Sequence, residues 1–411
     1  MTTLTVDAPA RPLREDARTI GLIGLAHSIS HFSQLLLAPL FPWLKDAFQV
    51  SYAELGLLMG VFFTVSCAVQ AMSGFVVDRR GPVPVLLGGL GLIVLAALGY
   101  AASTHYWMLI VCSMVAGVGN GVFHPVDYTL LNHKVSKSRL GHAYSVHGVT
   151  GSLGWAVAPA LVVPIALASS WRLALVAAAG IVFIVLCVIW FNRRALAMEL
   201  AAPAHPDAKR SEGNFDFLRI PAVWMCFGFF FFYAMVLSGV QSFAPEAARQ
   251  LHGVDKAVAA MCLTIYMACS AAGMVVGGFL AKDPTRCERI VGAGMGIAAC
   301  IALTMALADV PGALVPLLFG AMGLAAGTAG PSRDLIVKRA TPDNATGRVY
   351  GVVYAGLDIG QAIAPLIYGT LMDLHRPATL WIAIACVQGV LIVSAFNVRK
   401  ARRTALVPSP A

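Results

Sequence analysis

Long apolar runs alternate with short polar breaks from residue 19 to residue 398. Twelve runs stand out, at about 19–44, 52–76, 83–102, 106–131, 141–166, 171–192, 220–247, 256–281, 288–308, 311–332, 347–372 and 376–398. An α-helix needs about 20 apolar residues to cross the hydrocarbon core of a bilayer, and each run meets that length. None shows the period-two alternation of a membrane strand. The pattern predicts an all-α integral membrane protein with twelve transmembrane helices, here spans 1 to 12. The polar stretch 193–219 divides them into two six-helix bundles, 19–192 and 220–398, with polar tails at 1–18 and 399–411.

Composition strengthens this reading. The chain is 58% hydrophobic and 12% charged, against about 45–50% and about 25% in soluble domains. Residues 1–18 are polar and mixed in charge, unlike a signal peptide, so span 1 is expected to be retained. The nine cysteines form no C-x-x-C pair and mostly lie in apolar runs, where they read as small hydrophobes.

The net charge of +9 needs a positional reading. With both termini placed in the cytoplasm, all but five of the 29 Lys and Arg residues fall on the cytoplasmic side; the exceptions are Lys45, Arg172, Arg249, Lys256 and Arg376. This positive-inside bias orients a multi-pass protein of the bacterial-type inner membrane. The basic residues face lipid headgroups, and no nucleic-acid partner is needed.

A shift of 206 positions aligns the two halves. Gly117 then meets Gly323, Gly121 meets Gly327, Pro125 meets Pro331, Gly154 meets Gly360 and Pro159 meets Pro365. Ala38-Pro39 meets Ala244-Pro245. Six spans per half give both halves the same orientation, the parallel repeat of a transporter whose site lies between them.

The loop after span 2 reads GFVVDRRG over 74–81. Gly74 permits close helix approach, Gly81 a tight turn, and Asp78 can accept hydrogen bonds from helix-end amides or an arginine. The segment resembles the G-x-x-x-D-R-x-G signature of the major facilitator superfamily, and the likeness extends over nearly the whole chain. The resemblance implies a cytoplasmic latch made by Gly74, Asp78, Arg79 and Gly81. Pro82 and Pro84 follow where a further basic residue is usual, which implies a weaker latch. Span 5 carries Gly148, Gly151, Gly154 and Ala158-Pro159, similar to the glycine-rich motif of proton-coupled antiporters. That likeness implies a conformational role for Gly154 and Pro159; ordinary close packing is the other reading. More narrowly, HF at 31–32, APLFP at 38–42, YAELGLL at 52–58 and FHP at 123–125 are similar to the fosmidomycin-resistance-like branch.

Ionisable groups inside a membrane are costly and point to function. Span 1 places His27, Ser30, His31 and Gln34 on one helical face; the histidines suit proton or anion binding, with interhelical hydrogen bonding as the plain alternative. Span 4 carries His124 and Asp127, and span 5 His147. Span 10 ends in Arg333 and Asp334. Arg333 repeats the position of Asp127, which suggests a pair closing the cytoplasmic mouth, or else a clamp for an organic anion. Asp358 in span 11 suits a coupling proton, or a hydrogen bond to span 2 or 8. Glu246 is expected in the periplasmic mouth. The aromatic run from Phe227 to Tyr233 favours a partly apolar solute.

No Walker loop, zinc-ligand spacing or nucleophile–base set is present, and GVGNG at 117–121 lies inside a span. No enzyme, metal or cofactor is expected; the proton gradient is the expected energy source. These features predict secondary active transport of a small organic solute by alternating access, as proton-coupled export of a drug-like or anionic compound. The alternative is proton-coupled uptake of an organic anion such as a carboxylate. Expected partners are the solute, protons and membrane lipid, and the resemblance implies a monomer.

Overall fold

The computed structural model describes residues 12–198, 221–281, 283–340 and 346–405; the side chains of residues 221–222, 284, 334, 337–340, 346–354 and 397–405 lie outside that description. The expected linker is therefore described only to residue 198, and the tails only from residue 12 and to residue 405.

The first half contains α1 (Leu13–Gln34), α2 (Phe41–Phe48), α3 (Tyr52–Arg80), α4 (Pro82–Ala102), α5 (Tyr106–Asn120), α6 (Phe123–Lys134), α7 (Leu140–Ala168), α8 (Trp171–Phe191) and the short α9 (Arg193–Leu196). The second contains α10 (Pro221–Ser242), α11 (Ala244–His252), α12 (Lys256–Leu280), α13 (Cys287–Leu307), α14 (Val315–Ala340), α15 (Thr346–Asp373) and α16 (Pro377–Ala405). Among the described residues no strand occurs, and eleven helical stretches are long and apolar enough to cross a membrane. The 28-residue α15 occupies the place of span 11.

Several elements differ from the expected runs. The first helix begins at Leu13 rather than 19, because Asp16 is buried and takes a 2.7 Å hydrogen bond from Arg139 Nη1. Span 1 is broken: α1 stops at Gln34, a single 3-10 turn covers Ala38–Leu40, and α2 starts at Phe41. Pro39 has no amide to continue the ladder. Span 7 breaks at the matching place, between α10 and α11, where Pro245 opens the second piece. Span 4 divides into α5 and α6, whereas its repeat α14 runs on through Pro331.

Small residues set the packing within each half. A Cβ on Gly117 of α5, or on Gly121 just past its end, would press on the Phe62 or Ser66 carbonyl of α3. On Gly323 or Gly327 of α14 it would press on the Tyr266 and Ser270 carbonyls of α12. Gly154 of α7 packs on the Ser28 backbone of α1, and Gly360 of α15 on the Phe231 backbone of α10. Absent side chains let backbones approach, the usual basis of helix association in lipid, and here the repeat reuses the same contacts.

The halves meet along α3 with α15 and α7 with α12. Call the end carrying Arg79, Arg139 and Arg286 the basic face, and the opposite end the far face. The far face is sealed. Asp373 accepts from the Tyr52 and Ala53 amides, both at 2.8 Å, and so caps α3 from the other half. Tyr52 donates to Glu246 Oε1 at 2.9 Å, and Gly56 lies against the Pro365 carbonyl. At the basic face Gly74 and Gly278 have open space beside them, and Met72, Phe75, Val275 and Val276 are exposed.

Candidate functional site

Four imidazoles and one carboxylate converge inside the first half. The α1 helix supplies His27 and His31, α6 supplies His124 and Asp127, and α7 supplies His147. The break before Phe123 sets α6 so that Asp127 enters the bundle, where it is wholly buried. His27 Nδ1 lies 3.0 Å and His147 Nε2 3.1 Å from Asp127 Oδ2. An ionised carboxylate only accepts, so both nitrogens donate. The His27 and His147 rings stack with centroids 3.5 Å apart. His31 sits 4.6 Å from the His27 ring and 4.2 Å from that of Trp155. Its Nδ1 and Asp127 Oδ1 are buried without a hydrogen-bond partner.

Gln34 is near this cluster but engaged, its Oε1 accepting from Trp155 Nε1 at 2.9 Å. Beside it Asn120 Oδ1 accepts from Ser30 at 2.7 Å, and Asn120 Nδ2 donates to Ser66 at 2.9 Å. These bonds tie α1, α3 and α5 together and satisfy polar groups that would otherwise be costly in a bilayer.

Gln70 of α3 carries the network out of the first half. Its Nε2 donates to Asp358 Oδ2 at 3.0 Å, and its Oε1 faces His124 Nδ1 at 2.7 Å. With Asp358 ionised, the amide nitrogen faces the accepting carboxylate and the amide oxygen takes the His124 proton. Asp358 is half-buried. On the second seam, Ser152 Oγ donates to Met274 Sδ at 3.0 Å.

Arg333 lies on α14, half-buried, with its guanidinium 4.2 Å from the Tyr233 ring and 5.3 Å from that of Phe230. The expected pair of Arg333 with Asp127 is not made. Asp127 points into its own bundle and is enclosed by His27 and His147, away from the mouth. The side chain of Asp334 lies outside the described residues.

The signature loop is exposed at Asp78 and Arg79, and Gly74 makes no close helix contact. Gly81 ends α3 with φ 81°, a conformation that suits glycine. Pro159 lies within α7 and is buried. On the far face Glu246 accepts from Arg249 at 2.7 Å, Gln250 at 2.9 Å and Tyr52. Burial works against its charge, but the bonds from Arg249, Gln250 and Tyr52 together outweigh it and hold the carboxyl below the usual glutamate value.

Sequence reasoning missed Gln70, Asn120, Trp155, Tyr52 and Asp373. A signal existed for two of them: Gln70 and Asn120 are isolated amides within otherwise apolar runs. It also expected no metal site, yet His27, His31 and His124 bring one ligand atom each within 4.8 Å of one another, as do His27, Asp127 and His147.

Comparison with known proteins gives these residues a setting. The chain is 26% identical to the uncharacterised transporter YfnC of Bacillus subtilis over 177 residues, which span 42% of this chain and 43% of that relative. It is 24% identical to the fosmidomycin resistance protein of Escherichia coli, over 68% of each chain. It is 22% identical to the probable sulfoacetate transporter SauU of Cupriavidus necator, over 64% of each. Among solved structures, a bacterial homologue of the human lysosomal transporter Spinster superposes with TM-score 0.74 at 15% identity, covering 98% of this chain and all of the other. The fold is therefore shared. The model of the Major Facilitator Superfamily matches residues 23–365 and 230–411, and the chain belongs to that superfamily of membrane transporters.

Proposed function

We propose that the protein is a proton-coupled secondary transporter exporting a small organic solute, anionic or drug-like, by alternating access, with Asp358 carrying the coupling proton. The observation that carries this reading is the Gln70–Asp358 hydrogen bond, which joins the two halves between the sealed far face and the basic face. An ionised Asp358 accepts a charge-assisted bond; a protonated one keeps a neutral bond about half as strong. Protonation therefore loosens the tie between halves that must move against each other.

On this reading twelve helices cross the inner membrane, and both termini lie in the cytoplasm because the basic face is the cytoplasmic one. The conformation is then closed to the periplasm and open to the cytoplasm, the state that loads an exported solute. Arg333 beside the Tyr233 and Phe230 rings suits an anionic head on a partly apolar body. The names of two relatives, one for fosmidomycin resistance and one for sulfoacetate transport, support a drug and an organic anion respectively. Each chain contains both halves of the cleft, so a monomer suffices.

The test is transport of labelled organic anions in proteoliposomes under an imposed pH gradient. Accumulation should follow the gradient. Asp358→Asn should lose at least tenfold in gradient-driven accumulation while retaining downhill exchange. Transport indifferent to the gradient, or full accumulation by Asp358→Asn, would sink the coupling claim. Arg333 also fits a second reading, uptake of an organic anion. A deletion strain that loses growth on a carboxylate without gaining drug sensitivity would favour it.

A further inference from the structure

We infer that the first half contains a binding site for a divalent transition-metal ion, with His27, His31 and His124 as its ligands. The inference stands apart from the identity of the solute; the His124 tautomer that it uses is the one present while Asp358 is ionised.

The three rings come from two helices that α7 holds together. His27 and His31 are one turn apart on α1 and share a face, and His124 is brought beside them by α6. Their ring centroids are 4.6, 5.3 and 6.4 Å apart. Three imidazoles on one tetrahedral ion, with metal–nitrogen distances of about 2.0–2.1 Å, have centroids roughly 5 Å apart. Small ring rotations close the difference.

Proton positions favour binding. Asp127 Oδ2 takes the His27 Nδ1 proton, which leaves Nε2 with its lone pair. Gln70 Oε1 takes the His124 Nδ1 proton, which leaves that Nε2 likewise basic. His31 Nδ1 is buried without a hydrogen-bond partner. Metal-bound histidines typically donate their other nitrogen to a carboxylate or carbonyl, which fixes the ring and raises its basicity. Asp127 and Gln70 stand in those places before any ion is present. The buried carboxylate also supplies a counter-charge.

Room for the ion comes from Gly151 on α7. A Cβ built there would lie 3.0 Å from His27 Nε2, 3.0 Å from His31 Nδ1 and 2.9 Å from His31 Cε1. Only glycine leaves that meeting point of nitrogens unfilled. His31 and His124 are half-buried, and the ion enters past them. Neutral imidazole ligands suit Zn²⁺, Co²⁺, Ni²⁺ and Cu²⁺, and are poor ligands for Mg²⁺ or Ca²⁺.

The test uses the full chain purified in detergent through a tag without histidine. Zn²⁺ is titrated against a chromophoric chelator, and Co²⁺ is followed by its visible ligand-field spectrum. One ion per chain is expected, with a cobalt spectrum of tetrahedral or five-coordinate nitrogen ligation. His31→Gln and His124→Gln should each weaken binding by at least tenfold, and so should Gly151→Ala, which keeps every ligand but fills the space. His133→Gln, an exposed histidine on α6 outside the cluster, should change nothing. Absence of a stoichiometric site on the unsubstituted protein overturns the inference, whatever the variants do. So does binding that survives His31→Gln and His124→Gln, or that His133→Gln removes.

Discussion

The two halves share their packing and differ in their chemistry. Where Gly117, Gly121 and Gly154 set backbones together in the first half, Gly323, Gly327 and Gly360 do the same in the second. Even the paired polar positions correspond. His27 touches Asp127, and Tyr233 and Arg333, 206 positions on, also touch each other. The first pair buries a carboxylate among imidazoles, and the second stacks a guanidinium on rings. His31 corresponds to Leu237 and His124 to Gly330, so the histidine cluster has no counterpart. Geometry constrains the glycines equally in both halves because a backbone carbonyl fills the space where a side chain would go. Nothing comparable constrains the polar positions, and there the halves differ in residue chemistry.

The strongest way to break this comparison is at the shared contacts. Gly154→Val and Gly360→Val should each destabilise the protein by about 3 kcal/mol or more, beyond ordinary overpacking because the obstacle is backbone. Gly148→Val, with no atom within 4 Å of its added Cβ, should cost far less. Thermal unfolding in detergent measures all three; a large gap between Gly154→Val and Gly360→Val would argue against equal roles.

The unshared positions sharpen it. Asp127→Asn should lower stability by about 1–3 kcal/mol, because an amide oxygen in the Oδ2 place accepts only neutral bonds from His27 and His147, and the amide nitrogen takes the buried Oδ1 place, which has no hydrogen-bond partner. Arg333→Ala should leave unfolding nearly unchanged and raise the KM for an organic anion about tenfold or more. The reverse pattern would mean that the second half holds the structural charge and the first half the binding one.

The smallest effect concerns the far-face seal. Glu246 lies on α11, beyond the membrane-length helix that ends at Ser242, and its closed-state pKa is depressed. Its contribution to closure is therefore complete above the ordinary glutamate value and lost as pH falls through the lower closed-state value. Closure measured between pH 6 and 8 should not vary on its account. Glu246→Gln should loosen the seal by only a few fold, read as far-face accessibility of a probe at residue 242, which is buried in the sealed conformation. A midpoint near neutral pH that vanishes in Glu246→Gln would contradict this.

Much of the fold is legible in the sequence because a bilayer imposes a length on every apolar run and a charge bias on every loop. The helix breaks at Pro39 and Pro245 were less so, since hydropathy runs through them. The cluster's members were legible as ionisable groups in apolar runs, but their partnerships were not. Asp127 and His27 are 100 residues apart, and only the turn of α6 decides that Asp127 faces inward rather than toward Arg333. Gln70 carries no charge, so it drew no notice, yet it links the histidines to Asp358. Asp373 sits just past an apolar run, where a lone acid looks like an ordinary helix end; its role depends on the α3 amides of the other half.

The central claim is that the charge on Asp358 sets the balance between the two conformations through Gln70. Spin labels at residues 72 and 275, on α3 and α12 at the basic face, report that balance as a distance in a background without native cysteines. Protonation that weakens the bond by about 1 kcal/mol should shift the populations about fivefold. Lowering the pH should enrich the shorter, closed distance, and Asp358→Asn should show that distance at every pH. An unchanged distance distribution across pH, or a full pH response in Asp358→Asn, would contradict the account.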